Sequence, residues 1–441
     1  MTRPASGIVA GMRRRMGALA GGAGSQDRFY LRAVATLTGG SFAAQLVGIL
    51  SMLVLARIYA PDEFGSYAVF FAVAGLLTLV ATAKYDAAVY VARNAREAAE
   101  TALLSAGISV LVGLAVLACV PLAPLFLTGV TRDPVLFIVL LAAATSSGGL
   151  VLALIAWATQ VHQFRAVTMA RLGQALSMAA VSIALGLRHW DMTGLAIGFI
   201  AGQLVFVAYL SRRLKVVPHL RRLTRRTMGA RARRHAAFPK FLLASELINY
   251  VGGNMIAFTG APLFGAAALG QYSLGFRLAT MPINMVGQAM GSVFRTAISP
   301  QHLPASGIPA LYRATFIRLS AIGLAFTIPL IVAGPQLFRL AFGAQWALAG
   351  FYVQILAPFM FMRFVVAPLT AIALRAGRAG LDTMIQLLFL ASSVIAVAVG
   401  AWAGSFTVML IAFTTLQSLV YLFYLVLGYR LALRLARNEG Q

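Results

Sequence analysis

Cysteine is almost missing from this chain. Cys119 is the single one in 441 residues, so neither an internal disulfide nor a cysteine-built metal centre can form. Acidic residues are nearly as scarce, with 11 Asp and Glu against 36 Lys and Arg. The five histidines (His162, His189, His219, His235 and His302) are scattered near expected loops and show no ligand spacing. No phosphate loop, nucleophile elbow or paired-carboxylate site can be found. Enzymatic chemistry therefore has no visible foothold, and neither a metal nor a cofactor is expected. Charge of either sign is thin, at 11% of residues. No soluble domain is long enough to present the net charge of +25 to nucleic acid.

What the chain has instead is apolar length. It is 60% hydrophobic with a mean hydropathy of +0.86. A soluble protein of this size cannot hide so much apolar surface, so lipid must be part of its solvent. A helix needs about 20 apolar residues to cross the hydrocarbon core. With that ruler twelve spans are expected, near 35–57, 64–83, 101–121, 135–160, 167–187, 193–211, 241–261, 268–294, 318–338, 349–373, 380–401 and 405–428.

Between the sixth and seventh spans, Ser211 to Lys240 holds 11 Lys and Arg and no Asp or Glu. Such a block stays on the cytoplasmic side during insertion. With twelve spans, both termini fall on that same side. Thirty of the 36 basic residues then lie in cytoplasmic pieces. Arg57, Arg132, Arg188 and Arg339 lie outside, and Arg277 and Arg363 fall within spans. Arg13-Arg14-Arg15 is followed by Gly-rich polar sequence without an apolar core, so a cleaved signal is not expected. The expected organisation is a flexible basic tail (1–34), a six-helix lobe (35–211), a basic cytoplasmic linker (212–240), a second six-helix lobe (241–428) and a cytoplasmic tail (429–441). An internal echo supports duplication. Phe64-Gly65-Ser66-Tyr67-Ala68-Val69 opens the second span, and Leu269-Gly270-Gln271-Tyr272-Ser273-Leu274 opens the eighth. Equal starting sides imply a parallel repeat, with an axis along the membrane normal. The fold class is thus an all-α integral membrane protein of about twelve transmembrane helices in two lobes around a central cavity.

Polar residues inside lipid are costly; a charge at a helix centre costs about 2.5–3.5 kcal/mol on insertion scales. Those present should face a cavity or a partner. In span seven, Glu246, Asn249, Tyr250, Gly253 and Asn254 share one helix face. In span eight, Arg277, Asn284, Gln288, Ser292 and Arg295 do the same, and span one adds Thr38, Ser41 and Gln45. A water-accessible path and plain interhelical hydrogen bonding both fit these stripes. Glu246 reads as a proton or sodium site, or as the partner of Arg277 or Arg363. Asp86 reads as an ion-coupling candidate or as half of an interfacial pair with Lys84. Gly194, Gly198 and Gly202 form a small-residue packing face. Pro282, Pro329, Pro358 and Pro368 are candidate kinks.

The segment Leu55-Ala56-Arg57-Ile58-Tyr59-Ala60-Pro61-Asp62-Glu63-Phe64-Gly65-Ser66-Tyr67, with a span ending Lys84-Tyr85-Asp86-Ala87-Ala88-Val89, resembles the polysaccharide transporter family of oligosaccharide flippases. That family lies within the multidrug/oligosaccharidyl-lipid/polysaccharide exporter superfamily. Gly270 to Arg277, Gly287 to Phe294 and Leu337 to Trp346 are also similar, and the likeness covers roughly 35 to 430. The resemblance implies two lobes around a cavity that opens alternately to each side. It implies undecaprenyl-pyrophosphate-linked oligosaccharide as cargo, moved from the cytoplasmic to the periplasmic leaflet of a bacterial inner membrane. Membrane lipids, a polysaccharide polymerase and a chain-length regulator are the implied partners. Spans one, two, seven and eight would line the cavity. Arg277, Arg363, Asn249, Tyr250, Asn254, Asn284, Gln288 and Gln45 are then the expected substrate contacts, with Glu246 and Asp86 as coupling candidates. The alternatives are a drug or small-metabolite antiporter of the same superfamily, a membrane polymerase or ligase, and a non-transporting scaffold. An antiporter for cations would want carboxylates in its cavity, and an enzyme would want a sizeable outside loop.

Overall fold

Inside lipid the backbone must satisfy its own N–H and C=O groups, and a run of apolar residues does so as helix. The computed structural model describes residues 43–122, 133–220, 223–299 and 303–438, and among them there is no strand. The first half comprises α1 (Ala43–Ile58), α2 (Pro61–Thr82), the short α3 (Tyr85–Val89), α4 (Ala95–Ala118), α5 (Pro134–Gln160), α6 (Phe164–Gly186) and α7 (Asp191–Arg213). Two short helices, α8 (Val216–Leu220) and α9 (Arg225–Arg234), form the basic segment. The second half comprises α10 (Leu243–Gly253), α11 (Met255–Phe264), α12 (Ala266–Ala297), α13 (Ile308–Phe342), α14 (Ala347–Val366), α15 (Ala371–Arg375), α16 (Ala379–Ala403) and α17 (Phe406–Asn438).

Every expected span has a helical counterpart, though 35–42 of the first, with Thr38 and Ser41, lie outside the described residues. Nine described helices are long and apolar enough to cross a membrane, and the pair α10–α11 makes a tenth across a 44° bend. The described part of α1 is apolar but short. α12 runs for 32 residues, and its polar stripe lowers its hydropathy. Side chains such as Trp402, Leu340 and Phe241 point outward, 90%, 82% and 76% exposed, as a lipid-facing surface requires.

Three expectations need correction. Span seven is not continuous: the helix breaks at Asn254 (φ −114°, ψ 14°), after Gly252-Gly253. Span three starts earlier than the apolar run, because the Asn94 side chain caps α4 by accepting the Glu97 N–H at 2.8 Å. Among the candidate kinks, the distortion in α13 falls on Ala333, between Pro329 and Pro335. Pro368 ends α14 by opening a 3₁₀ turn over Ala367–Thr370.

The two halves repeat one packing scheme. In each, the third and fourth spanning helices pack together, as do the fifth and sixth, the second and fourth, and the fourth and sixth. α2 and α12 then pack on each other across the halves. The face of Gly194, Gly198 and Gly202 lies on α6, where an added Cβ would meet Leu185, Ser182 and the Gln174 carbonyl. It is the close-packing surface expected.

Candidate functional site

The termini near the basic segment are called here the basic end, and the opposite one the far end. At the far end α2 and α12 cross almost backbone to backbone. A Cβ on Gly65 would stand 1.8 Å from the Ala266 carbonyl oxygen, and one on Gly270 would stand 1.7 Å from that of Pro61. In the register of the echo, Gly65 corresponds to Gly270 and Pro61 to Ala266. The contact is therefore reciprocal, as a two-fold relation between like helices demands.

Around this crossing the far end is sealed. The Ala56 carbonyl accepts hydrogen bonds from Trp346 Nε1 at 2.6 Å and Gln345 Nε2 at 2.8 Å. The Phe64 ring meets the fully buried Trp346 edge-on at 5.2 Å. Gln271 donates to the Gln345 carbonyl (2.6 Å) and accepts from the Ala349 N–H (2.9 Å). Tyr59, also buried, donates to the Ser182 carbonyl at 2.8 Å. At the basic end the halves meet through a longer link, Lys84 to Glu246 at 3.9 Å, with the carboxylate 41% exposed.

Between these ends lie three cavities. The first, of about 420 Å³, is lined mostly by the first half and closed by Arg277 and Met281 of α12; Gln45, Tyr67, Arg171, Gln174 and Arg277 supply polar groups. The second, of about 220 Å³, belongs to the second half and holds Asn249, Arg363, Gln386 and Gln417 beside the rings of Phe389 and Tyr421. The third, of about 300 Å³, lies on the seam, where Asn254, Tyr67 and Arg277 face each other. None of the three is lined by Asp or Glu. Among the described residues neither Arg277 nor Arg363 forms an ion pair; Arg277 instead lies over the Phe71 ring at 5.8 Å. The buried Tyr67 hydroxyl stands beside Arg277 without a hydrogen bond of good geometry.

Arg277, Arg363, Asn249, Asn254 and Gln45 thus all reach cavities, but not one cavity. Asn254 also closes the helix break by donating its Nδ2 to the Tyr250 carbonyl at 2.9 Å. Tyr250 lines none of the three; its hydroxyl donates to the Ala72 carbonyl and pins α10 to α2. Asn284 lines none of the three, and the Gln288 side chain lies outside the described residues. Glu246 pairs with Lys84, not with Arg277 or Arg363, because α10 starts at the basic end where α2 finishes. Lys84 is therefore not simply the partner of Asp86, whose Oδ1 is buried without a hydrogen bond. Sequence reasoning passed over Tyr67, Arg171, Gln174, Gln386 and Gln417. The signal was present: Arg171, Gln174 and Met178 stand at helical spacing on one face of α6.

The basic segment is docked to the first half by an ion cluster. Arg231 bridges Glu97 (3.1 Å) and Glu100 (2.9 Å), Arg234 also reaches Glu97 (3.1 Å), and His235 lies 3.5 Å from it. Tyr85 adds a hydrogen bond to the Ala232 carbonyl at 3.2 Å. Burial pushes this phenol's pKa up, so it stays a donor at neutral pH. Glu97 is 2% exposed, and removing one partner of such a group strands the others. Glu97→Ala is expected to cost about 3 kcal/mol, read as a lower melting midpoint of the purified protein. An unchanged midpoint would show that the cluster does not hold α9.

The model of a family described as "Polysaccharide biosynthesis protein" matches residues 54–350. Among curated proteins, the teichuronic acid biosynthesis protein TuaB of Bacillus subtilis (strain 168) is 25% identical over 169 residues, 37% of this chain. The match spans about a third (35%) of that relative's length. An inward-facing multidrug resistance MATE family transporter of the MOP superfamily has a TM-score of 0.64 at 14% identity, covering 89% of this chain and 96% of its own. The lipid II flippase MurJ, in an inward closed conformation, also has a TM-score of 0.64, at 12% identity, covering 91% of this chain and 90% of its own. These structures share the fold, an all-helical multi-pass membrane bundle. The family match extends over more than half of the sequence, and the chain belongs to the polysaccharide biosynthesis protein family.

Proposed function

We propose that this protein is an alternating-access flippase. Its cargo is an undecaprenyl-pyrophosphate-linked oligosaccharide, moved from the cytoplasmic to the periplasmic leaflet of a bacterial inner membrane for surface polysaccharide such as O-antigen or exopolysaccharide. The observation that carries this reading is the polarity of the three cavities: among the described residues, Arg277 and Arg363 without ion pairs, amides beside them, and no carboxylate in the three linings. A diphosphate loses much hydration inside a membrane, and guanidinium forks offset that loss by charge-assisted hydrogen bonds. Asn249, Asn254, Gln45, Gln174 and Gln386 suit sugar hydroxyls, and the isoprenoid tail stays in lipid.

The same polarity weighs against a cationic drug as cargo, which needs carboxylates. Two lobes, 35–211 and 241–428, rock about the α2–α12 seam. The basic segment holds the basic end in the cytoplasm, with both termini. The far-end seal supports reading this as an inward-facing state that loads from the cytoplasm. The polymerase and chain-length regulator are the partners on the receiving side. No bond in the cargo is made or broken, so the protein is a transporter and not an enzyme. In a strain lacking the gene, lipid-linked saccharide should build up on the cytoplasmic face and clear when the gene is restored. Normal export without build-up would contradict the reading.

A further inference from the structure

We infer that the groove between α6 and α7 at the basic end binds the phosphate of an anionic phospholipid. This groove lies apart from the three cavities. Gln163, Arg165, Ala166 and Met169 form one wall and Tyr209 and Arg213 the other. Two guanidinium groups from different helices thus flank one concavity. Among the described residues neither forms an ion pair, and no acidic residue lines the groove. Arg213 is held in place over the Tyr209 ring, 5.5 Å from its centroid, which limits the ordering entropy that binding would otherwise cost.

The groove also continues in the right chemical order for a lipid. One turn deeper, α6 and α7 meet where Gly173 faces Val205, at 3.4 Å for an added Cβ. Met169, Val205 and Leu176 are all outward-facing apolar residues along this line. A cationic mouth at the interface followed by an apolar track fits a head group with its acyl chain. A free phosphate would use the mouth and leave the track empty. Charge complementarity and this head-to-tail order commit the site to a phospholipid of the cytoplasmic leaflet.

The test is native mass spectrometry of the full chain with phosphatidylglycerol or phosphatidylcholine added. The parent protein should retain phosphatidylglycerol in preference. Arg165→Gln with Arg213→Gln should weaken that retention about 10-fold, as losing charge-assisted hydrogen bonds implies, while Arg226→Gln leaves it unchanged. Equal retention by the double variant and parent would overturn the site. Displacement of the lipid by millimolar inorganic phosphate would overturn the phospholipid assignment. A second readout does not depend on the arginine variants folding. In Met169→Trp, phosphatidylglycerol brominated on its acyl chain should quench the added fluorescence more than brominated phosphatidylcholine does. Equal quenching by the two would count against the site.

Discussion

Replacing Arg277 by Ala should lower glycan export by about 10- to 100-fold while membrane abundance stays near that of the parent. Arg277 reaches both the first-half cavity and the seam cavity. Among the described residues it has no ion-pair partner to strand on removal, and its neighbours include the Phe71 ring and the Tyr67 hydroxyl. Folding should therefore tolerate its loss, whereas a bound diphosphate would lose a charge-assisted contact worth about 1.5–3 kcal/mol. Arg277→Lys should recover only part of the activity, because an ammonium cannot present the bidentate fork. Arg363→Ala, in the separate second-half cavity, should impair export by a smaller factor if the sugars and not the diphosphate lie there. Export assays with immunoblots of membrane fractions read both quantities. Unchanged export in both alanine variants would remove these residues from the site.

The second large effect should come from Gly270→Ala. An added methyl would lie 1.7 Å from the Pro61 carbonyl oxygen and 2.8 Å from the Gly65 nitrogen. Both obstacles are backbone, so no side chain can swing aside. Overpacking a core typically costs about 1–3 kcal/mol, and relief here requires α2 and α12 to separate at their closest approach. The far-end seal depends on that approach, because Phe64 and Gln271 flank the two glycines. With Cys119 replaced by Ser and a cysteine placed at the buried Ala56, an impermeant thiol reagent added outside should react faster in Gly270→Ala than in its parent. The melting midpoint should fall as well. Parent-like labelling and melting would mean that the crossing does not hold the far end closed.

Much of the architecture was legible because lipid leaves few options. Apolar run length located most of the spans. The duplication could be read from six residues, Phe64 to Val69 against Leu269 to Leu274. Those residues then proved to lie at the crossing of the two halves. The break at Asn254 was hidden: Gly252-Gly253 lies in a stripe that keeps helical spacing through Asn254, and no proline marks the break. The candidate site was legible only in part. A helical stripe tells which residues share a face, not what that face meets. Tyr250 and Asn249 stand next to each other in one stripe, yet Tyr250 pins two helices and Asn249 opens into a cavity. Arg171 and Gln174 stand at helical spacing, but only the packing of α6 shows that they reach the first-half cavity. Glu246 found its cation in Lys84, far away in sequence, which no periodicity encodes.

The most direct measurement uses the purified full chain in liposomes loaded with labelled undecaprenyl-pyrophosphate oligosaccharide. Exposure of the saccharide to an enzyme confined outside reports its leaflet over time. The account predicts that saccharide from the inner leaflet becomes exposed with the parent protein and much more slowly with Arg277→Ala. Equal rates with the parent, the variant and protein-free liposomes would contradict it.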